Sequence, residues 1–270
     1  MVEEMEKNFD ELTFSDDFMF CKVLSNNPDL CKEMVEMITG RKVSGLPAIS
    51  NQLPIKITED GKGVRFDVYF EDQKNVIYDV EMQTSSLKYL PERTRYYQGM
   101  IDLNTIEKGE NYDKLKQTYI IFICPFDPFK ANLYKYTFRN LCRENPEIEL
   151  GDKSEKIFLN ANGSIGDVSN DLKEFLSYVA EQKVSNNYTE RLEQAVERVR
   201  EHEEWRVEYM TLTMKYLEKM EEGREKGREE GREEEHYRIL ENLTHNLMKR
   251  NPKLSLEEAK KEAEDLIKVM

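Results

Sequence analysis

The sequence predicts an α/β fold, with a mixed central sheet flanked by helices, followed by a long charged helical C-terminal region. Three observations predict it. Helix-like and strand-like segments alternate along the first 166 of 270 residues, an order that favours a mixed sheet between helices. Residues 116–124 form an apolar, β-branched run that is typical of a buried strand. From residue 187 to residue 235 the chain is almost continuously charged, as solvated helices are.

The segment from Ser15 to Gly40 predicts two helices that pack on the sheet. Its apolar residues recur at helical intervals. Ser15 is a candidate N-cap, and Gly40 lies where helices commonly end. The tripeptide Asn26-Asn27-Pro28 predicts a break between the two helices, because proline disfavours a helical conformation in the residue before it.

Strand-like segments and a further helix follow in order. Residues 51–58 predict a first strand or a strand-like lead-in, and residues 59–63 predict a turn. Two strand-like runs around a polar turn predict a hairpin over residues 64–83. Residues 90–107 predict a helix with Pro91 near its start, where proline is tolerated. Shorter strand candidates lie at residues 133–142 and 156–160.

Carboxylates in the hairpin are the sharpest chemical signal. Because strand side chains alternate between faces, antiparallel pairing brings Asp67 beside Glu81. Neighbouring carboxylates repel unless a cation lies between them, and Mg²⁺ takes oxygen ligands of this kind. The alternative is an ordinary hairpin with one polar face. The polar face is predicted to hold Arg65, Asp67, Tyr69, Ile77, Asp79, Glu81 and Gln83, and the apolar face Val64, Phe66, Val68, Phe70, Val76, Tyr78, Val80 and Met82.

The order Asp67, hairpin, Glu81-x-Gln83 resembles the signature of the PD-(D/E)XK nuclease superfamily, in particular its recombination-promoting nuclease and transposase branch. Flanking segments resemble other motifs of that branch, and the resemblance covers about the first 165 residues. These segments are Asp17-Phe18-Met19-Phe20 with Lys22, Pro91-Glu92-Arg93 with Tyr96-Tyr97, and Gln117-Thr118-Tyr119-Ile120-Ile121-Phe122-Ile123.

The resemblance implies a restriction-endonuclease-like fold and a Mg²⁺-dependent DNA endonuclease that hydrolyses phosphodiester bonds, with a recombination or transposase-like role. It implies Asp67 and Glu81 as ligands of Mg²⁺, with Mn²⁺ as the alternative ion, and the Met82 main-chain carbonyl as another ligand. Gln83 would orient the attacking water and the phosphate. It stands where many relatives have lysine, and since an amide brings no positive charge, slow turnover is expected.

Other side chains near these motifs have two possible roles each. Asp17 reaches the ion through water, or it stabilises the start of its helix through the helix dipole. Arg93 and Tyr97, which share a helix face, bind a phosphate and a sugar or base of nucleic acid, or they form a surface stack. Asp79 supports the ligands of the ion, or it is a surface charge.

Composition limits the classes of partner. The net charge is −14, and both the first 180 residues and the remainder are acidic, which argues against tight, nonspecific binding of nucleic acid. No run is long enough to span a membrane, and the signal-peptide pattern is missing, so a cytoplasmic protein without membrane contact is expected. The cysteines lack metal-binding spacing and predict reduced, mostly buried thiols. They are Cys21, Cys31, Cys124 and Cys142.

Three regions are predicted, a nuclease-like domain (residues 1–166), a charged helical extension (167–235) and a small helical module (236–270). The extension is expected to hold a short helix at 168–182 and a long amphipathic helix from residue 187 that self-associates as a coiled coil. Its glycines either admit another helix closely or mark a frayed connector. In the last module, Asn251-Pro252 predicts a break between two short helices and Ser255 a cap. The glycines are Gly223, Gly227 and Gly231.

A second functional class stands beside the DNA endonuclease. A catalytically weak or inactive protein of the same fold would act as an assembly module through its helical tail, and a pure scaffold is a third option. The retained Asp67 and Glu81 favour the nuclease, whereas Gln83 and the acidic balance favour the assembly module. The expected partners are DNA and, through the C-terminal helices, further copies of the chain.

Overall fold

The computed structural model describes residues 7–55, 63–86 and 88–269. Residues 56–62, which include most of the predicted turn before the hairpin, lie outside this part of the chain. The strands are β1 (Ser50–Ile55), β2 (Val64–Glu71), β3 (Ile77–Met82), β4 (Thr118–Cys124), β5 (Lys135–Phe138) and β6 (Ser154–Asn160). The helices are α1 (Asp17–Asn26), α2 (Pro28–Thr39), α3 (Leu90–Thr105), α4 (Asn170–Glu181), α5 (Asn187–Arg200), α6 (Glu203–Arg250) and α7 (Leu256–Val269).

The six strands form one mixed sheet in the order β1-β2-β3-β4-β6-β5. The central strands β3, β4 and β6 are parallel, and the other neighbours pair antiparallel. Every residue of β4 is buried, as its apolar run predicted. Met82 pairs with Ile123, and Ile123 pairs with Leu159. The carboxyl ends of the three parallel strands therefore share one edge of the sheet.

Helices cover both faces of the sheet, which confirms the predicted α/β architecture. Buried side chains of α1, α2, α4 and α5 form the larger hydrophobic cluster with one face. On the other face, α3 forms the second cluster, largely with aromatic and branched side chains of the sheet. Burial of apolar surface on both faces supplies the main stabilisation of such a layered fold.

Local signals place the helix ends largely as predicted. Pro28 lies in the first turn of α2, and Gly40 ends that helix with a left-handed φ of 70°. The predicted cap of α1 is wrong, because Asp16 is the residue that directly precedes the helix. The Ser15 hydroxyl instead donates a hydrogen bond of 2.9 Å to the Val179 carbonyl. Ser15 thus ties the start of α1 to α4, a partner that is distant in sequence.

The strict alternation predicted for β2 is wrong at the centre of the strand. Phe66 packs with α3, whereas Val68 packs on the opposite face of the sheet, so the alternation shifts at Asp67. The ladder with β3 begins at Val68, and the Asp67 N–H donates to the Glu81 side chain instead of a strand carbonyl. Of the face predicted to be polar, Ile77, Asp79 and Glu81 are buried, whereas Arg65 is exposed and pairs with Asp17 of α1.

The amphipathic helix predicted to run unbroken from residue 187 is interrupted after Arg200, and α6 begins at Glu203. Side chains of α5, including Leu192 and Val196, are buried in the larger hydrophobic cluster. The chain divides into two compact units, Met1–Tyr209 and Met210–Met270, so α5 lies in the same unit as the sheet. The predicted three-region organisation, with its first boundary at residue 166, stays a prediction.

The C-terminal helices differ from the prediction in length. Two short helices were expected in residues 236–270. Residues 236–250 instead form the last part of α6, and only α7 is a separate short helix. The predicted break at Asn251-Pro252 is confirmed. Ser255 caps α7, because the Glu258 N–H donates to the Ser255 hydroxyl and the Ser255 N–H donates to the Glu258 carboxylate. Among the described residues, no helix has the length and apolar composition needed to cross a membrane.

Gly163 in the loop after β6 is expected to be required for stability. An alanine Cβ at this position would lie 2.6 Å from the Tyr134 Cα and 2.7 Å from the Tyr134 nitrogen. Because both atoms belong to the backbone, Gly163→Ala should lower the free energy of unfolding by about 2 kcal/mol, as overpacking does. Urea denaturation measures this.

Gly99→Ala is the matched control, because a Cβ there meets no described atom within 4 Å beyond its chain neighbours and the adjacent backbone of its own helix. Within α3 this exchange should stabilise the protein by up to about 1 kcal/mol. Equal stability of the two variants would contradict the assigned close approach of the loop to Tyr134.

Candidate active site

Asp67 and Glu81 lie side by side where β2 and β3 separate. The Asp67 N–H donates to the Glu81 Oε1 at 2.9 Å, and the Met82 N–H donates to the Asp67 Oδ2 at 3.2 Å. Each carboxylate therefore accepts a backbone hydrogen bond from the strand that carries the other. Both side chains are buried. The structure thus brings together the two residues that the sequence singled out, through hydrogen bonds that strand alternation alone does not predict.

Asp17 and Cys21 of α1 extend this pair of carboxylates. One ligand atom from each of Asp17, Cys21 and Asp67 lies within 4.8 Å of the others. The Arg65 guanidinium donates to the Asp17 Oδ2 at 2.8 Å. Burial raises the pKa of the Cys21 thiol well above its usual range, with the charge of Asp67 as the next cause. Cys21 therefore stays protonated.

Cys21 was not among the residues predicted for this site. Its separation of four residues from Asp17 would have placed both on one helix face, but nothing in the sequence shows that this face meets β2.

Asp79 is fully buried next to Glu81, so the surface-charge interpretation is wrong. Neither oxygen accepts a hydrogen bond from a donor in the described part of the chain. Burial, followed by the charges of Glu81 and Asp67, raises the Asp79 pKa well above its usual value. The contact between the two side chains favours the neutral form of Asp79 and the charged form of Glu81.

Arg93 of α3 supplies the cation nearest to Glu81. Its Nη2 lies 2.7 Å from the Glu81 Oε2, and its Nη1 donates to the Gln83 Oε1 at 2.7 Å. The Tyr97 hydroxyl accepts a further hydrogen bond of 2.9 Å from the Arg93 Nε, and the guanidinium lies 4.9 Å from the Tyr97 ring centre. The Gln83 amide nitrogen donates to the Ser85 carbonyl. Gln83 and Tyr97 thus hold Arg93 against Glu81.

Neither interpretation offered for Arg93 and Tyr97 included this contact with Glu81. The four-residue spacing correctly places both residues on one helix face. Tyr97 is only 5% exposed, however, and its hydroxyl is engaged by Arg93.

A sequence model of the PD-(D/E)XK nuclease family transposases matches residues 15–245. The chain belongs to this family. The match spans the whole sheet and most of α6, and it confirms the resemblance and the nuclease-like α/β fold. A search of curated proteins and a search of solved structures give no significant match.

Nucleases of the PD-(D/E)XK family usually use a divalent metal, and the side chains of this member fit one. Asp17, Asp67 and Glu81 offer oxygen donors, which hard cations such as Mg²⁺ prefer. Burial is the largest cause that raises the pKa of both Asp67 and Glu81. The charge of Glu81 raises the pKa of Asp67 further, whereas Arg93 lowers the pKa of Glu81. Acidic groups with raised pKa values gain stability from additional positive charge nearby.

The metal-free protein is expected to lose stability as the pH rises. Asp67, Asp79 and Glu81 have raised pKa values in the folded state, so above about pH 4 these three groups bind more protons in the folded protein than in the unfolded chain. Their contribution to the free energy of unfolding therefore falls as the pH rises through their folded pKa values. Because a divalent cation replaces those protons, Mg²⁺ should raise the melting temperature by about 2 °C or more at pH 8 and by less at pH 5.

Thermal melts in EDTA and in Mg²⁺ at the two pH values measure this effect. Asp67→Asn is the control, and it should reduce the shift at pH 8. An equal shift at both pH values in the unaltered protein would contradict binding of the cation at these carboxylates.

Proposed function

We propose that this family member is a Mg²⁺-dependent endonuclease that hydrolyses phosphodiester bonds in DNA, in a recombination or transposase-like role. Mn²⁺ is the alternative ion. The observation that carries the proposal is the buried pair of Asp67 and Glu81, in which each carboxylate is oriented by a backbone N–H from the other strand. This arrangement keeps two oxygen donors side by side, within reach of one cation.

Asp67 and Glu81 would hold the ion together with the Met82 carbonyl, and Asp17 would add an oxygen from α1. When bound, a divalent cation offsets charge that develops on the phosphate and lowers the pKa of water. Asp79, which is buried, favours the charged form of the Glu81 carboxylate. The protein thereby positions its acidic oxygens before substrate arrives, so little reorganisation is needed during the reaction.

Arg93 compensates for the lysine that Gln83 replaces. Its guanidinium carries a permanent positive charge and presents a fork of donors that matches a phosphate. Gln83 accepts from this guanidinium at 2.7 Å, so Gln83 positions Arg93 in addition to the water-orienting role proposed for it. Arg93 would exchange part of its contact with Glu81 for a phosphate oxygen. Since Tyr97 is buried, we assign it to holding Arg93 and not to contact with a base.

Cleavage of supercoiled plasmid tests this proposal. Purified protein is incubated with plasmid in Mg²⁺, in Mn²⁺ and in EDTA, and nicked and linear products are quantified. Cleavage in either metal that is abolished by EDTA supports the endonuclease. Cleavage that persists in EDTA, or that is missing with both metals, contradicts it.

The second candidate is an assembly module with a weak or inactive site. The contact between Arg93 and Glu81 favours it, because a cation of the protein already satisfies one carboxylate. The net charge of −14 favours it as well. In that case the chain would show neither cleavage nor a Mg²⁺-dependent rise in melting temperature.

We further propose that the chain self-associates through α6. Met210, Met214 and Leu217 are exposed large apolar side chains. Their spacing of four and three residues places them on one stripe, as in the seam of a coiled coil. The double substitution Met214→Glu with Leu217→Glu is expected to convert an oligomer to a monomer, because it introduces repelling charges into this seam. Light scattering after size-exclusion chromatography measures the mass.

Lys215→Glu is the control for self-association, because Lys215 is exposed but lies off the stripe. This variant should keep the mass of the unaltered protein. A monomeric unaltered protein, or a double variant with unchanged mass, would rule out association through this stripe.

A further inference from the structure

An exposed aromatic and basic patch lies beside the candidate active site. We call Lys88, Tyr89, Arg95 and Tyr96 the α3 rim. Tyr89 is 65% exposed and Tyr96 is 42% exposed, and Lys88 and Arg95 are exposed as well. Large aromatic side chains normally gain stability by burial. Two of them at the surface beside two cations therefore point to a binding surface.

Tyr89 of the α3 rim lies one helical turn before Arg93, the residue that contacts Glu81. The Arg93 N–H donates to the Tyr89 carbonyl at 3.0 Å, and the guanidinium of the same residue lies 2.7 Å from the Glu81 carboxylate. Arg93 thus connects the rim directly to the candidate catalytic carboxylates. A polymer that crosses the rim would pass close to the site without any rearrangement of α3.

The spacing of the two tyrosines suits an extended chain of bases. Tyr89 directly precedes α3 and Tyr96 follows seven residues later, so both lie on one helix stripe about 10 Å apart along the axis. Every nucleobase has an aromatic face, and stacking on tyrosine is a common way to bind single strands. In a duplex these faces are covered by neighbouring base pairs, so the two rings would have no comparable contact.

The charge of the rim also favours a single-stranded nucleic acid over a duplex. Lys88 and Arg95 are cationic, Glu92 is an exposed acid between them, and the Lys88 ammonium lies 5.7 Å from the Tyr89 ring centre. Duplex binding depends mainly on many simultaneous contacts between cations and phosphates. This rim has few cations in a chain of net charge −14, but it has two stacking surfaces, which favours a ligand held largely by its bases.

We propose that the α3 rim binds single-stranded DNA, with bases stacked on Tyr89 and Tyr96 and the backbone near Lys88 and Arg95. The direction of the strand toward Asp67 and Glu81 rests on the proposed endonuclease function. Binding itself does not require cleavage. The substrate class that follows is DNA with unpaired bases, such as a single strand, a gap or a frayed end.

Fluorescence anisotropy with the full chain in EDTA tests this binding without cleavage. The probe is a labelled oligodeoxythymidylate of about 20 nucleotides. Tyr89→Ala and Tyr96→Ala should each raise its Kd by about fivefold or more, and Tyr→Trp at either position should preserve binding. A double alanine variant that binds like the unaltered protein would overturn the proposal. A duplex of equal length that competes as well as the single strand would overturn it too.

Tyr112→Ala is the matched control. Tyr112 is 84% exposed, and it precedes β4 at the opposite edge of the sheet from Glu81. This variant should bind the probe normally. Because all three tyrosines are exposed, the melting temperatures of the variants should match that of the unaltered protein.

The binding assay and the cleavage assay test the two proposals independently. Normal, tyrosine-dependent binding without plasmid cleavage would support the rim and refute the endonuclease. Metal-dependent cleavage with binding that does not depend on the tyrosines would support the endonuclease and refute the rim.

Discussion

Glu81→Gln is expected to reduce metal-dependent plasmid cleavage by about a thousandfold. A glutamine oxygen can still accept the hydrogen bond from the Asp67 N–H, which the glutamate accepts at 2.9 Å. The substitution removes the negative charge, however, and with it the favourable interaction with a divalent cation. Metal contributions of several kcal/mol to the transition state correspond to roughly this loss of rate. Initial rates of plasmid nicking in Mg²⁺ measure it.

The fold should survive this substitution. A neutral amide relieves the burial that raises the pKa of Glu81, but its nitrogen would face the Arg93 guanidinium, which lies 2.7 Å from the Glu81 Oε2. Because these effects oppose each other, the melting temperature in EDTA should change by no more than about 5 °C. Asp67→Asn should act in the same way, because its amide oxygen can accept from the Met82 N–H.

Glu92→Gln is the control for both substitutions, since Glu92 is an exposed acid on α3. It should cleave at the rate of the unaltered protein. Cleavage by Glu81→Gln at that rate would remove Glu81 from the catalytic machinery, even if plasmid cleavage itself depends on metal.

Arg93→Met is expected to lower the free energy of unfolding at pH 8 by about 2 kcal/mol or more. The substitution leaves buried Glu81 without the guanidinium that lies 2.7 Å from it, and removal of one partner of a buried ion pair is strongly destabilising. We place the cost below the usual range for such pairs because the Arg93 side chain is 31% exposed. Urea denaturation in EDTA measures the change.

The effect of Arg93→Met should depend on pH and on cations. Arg93 lowers the pKa of Glu81, so without it the carboxylate takes up a proton more readily and the loss of stability at pH 5 should be smaller than at pH 8. Mg²⁺ should recover part of the loss, because a bound cation replaces the missing positive charge. Arg93→Met with the stability of the unaltered protein at pH 8 would contradict the assigned ion pair.

Arg95→Met is the matched control for Arg93→Met. Arg95 lies two residues away on the exposed side of the same helix, where substitutions typically change stability by no more than about 0.5 kcal/mol. This pair of variants separates the contact with Glu81 from a general effect of removing arginine from α3.

Sequence patterns predicted much of the fold because they depend on neighbouring residues. The apolar run of β4, the proline at the start of α2 and the glycine at its end each act within a few positions of the chain. The carboxylates of the hairpin belong to this class as well, since two strands joined by a short turn pair with each other. Their adjacency could therefore be predicted without knowledge of the remaining structure.

The candidate site departs from the prediction where distant elements meet. Ser15 reaches Val179, Arg93 reaches Glu81, and Cys21 of α1 meets Asp67. No local periodicity encodes these contacts, because each depends on how a helix is placed on the sheet. The shift in alternation at Asp67 has the same origin. There a side chain from β3 replaces a backbone partner.

The sequence by itself determined the order of helices and strands, the hairpin and the presence of two neighbouring carboxylates. Only the tertiary structure decided that Asp79 is buried, that Arg93 neutralises Glu81, and that α5 belongs to the same compact unit as the sheet. The physical reason is that periodicity and turn residues act over a few neighbouring positions. Burial and charge pairing, in contrast, arise when segments far apart in the chain exclude water from the same space.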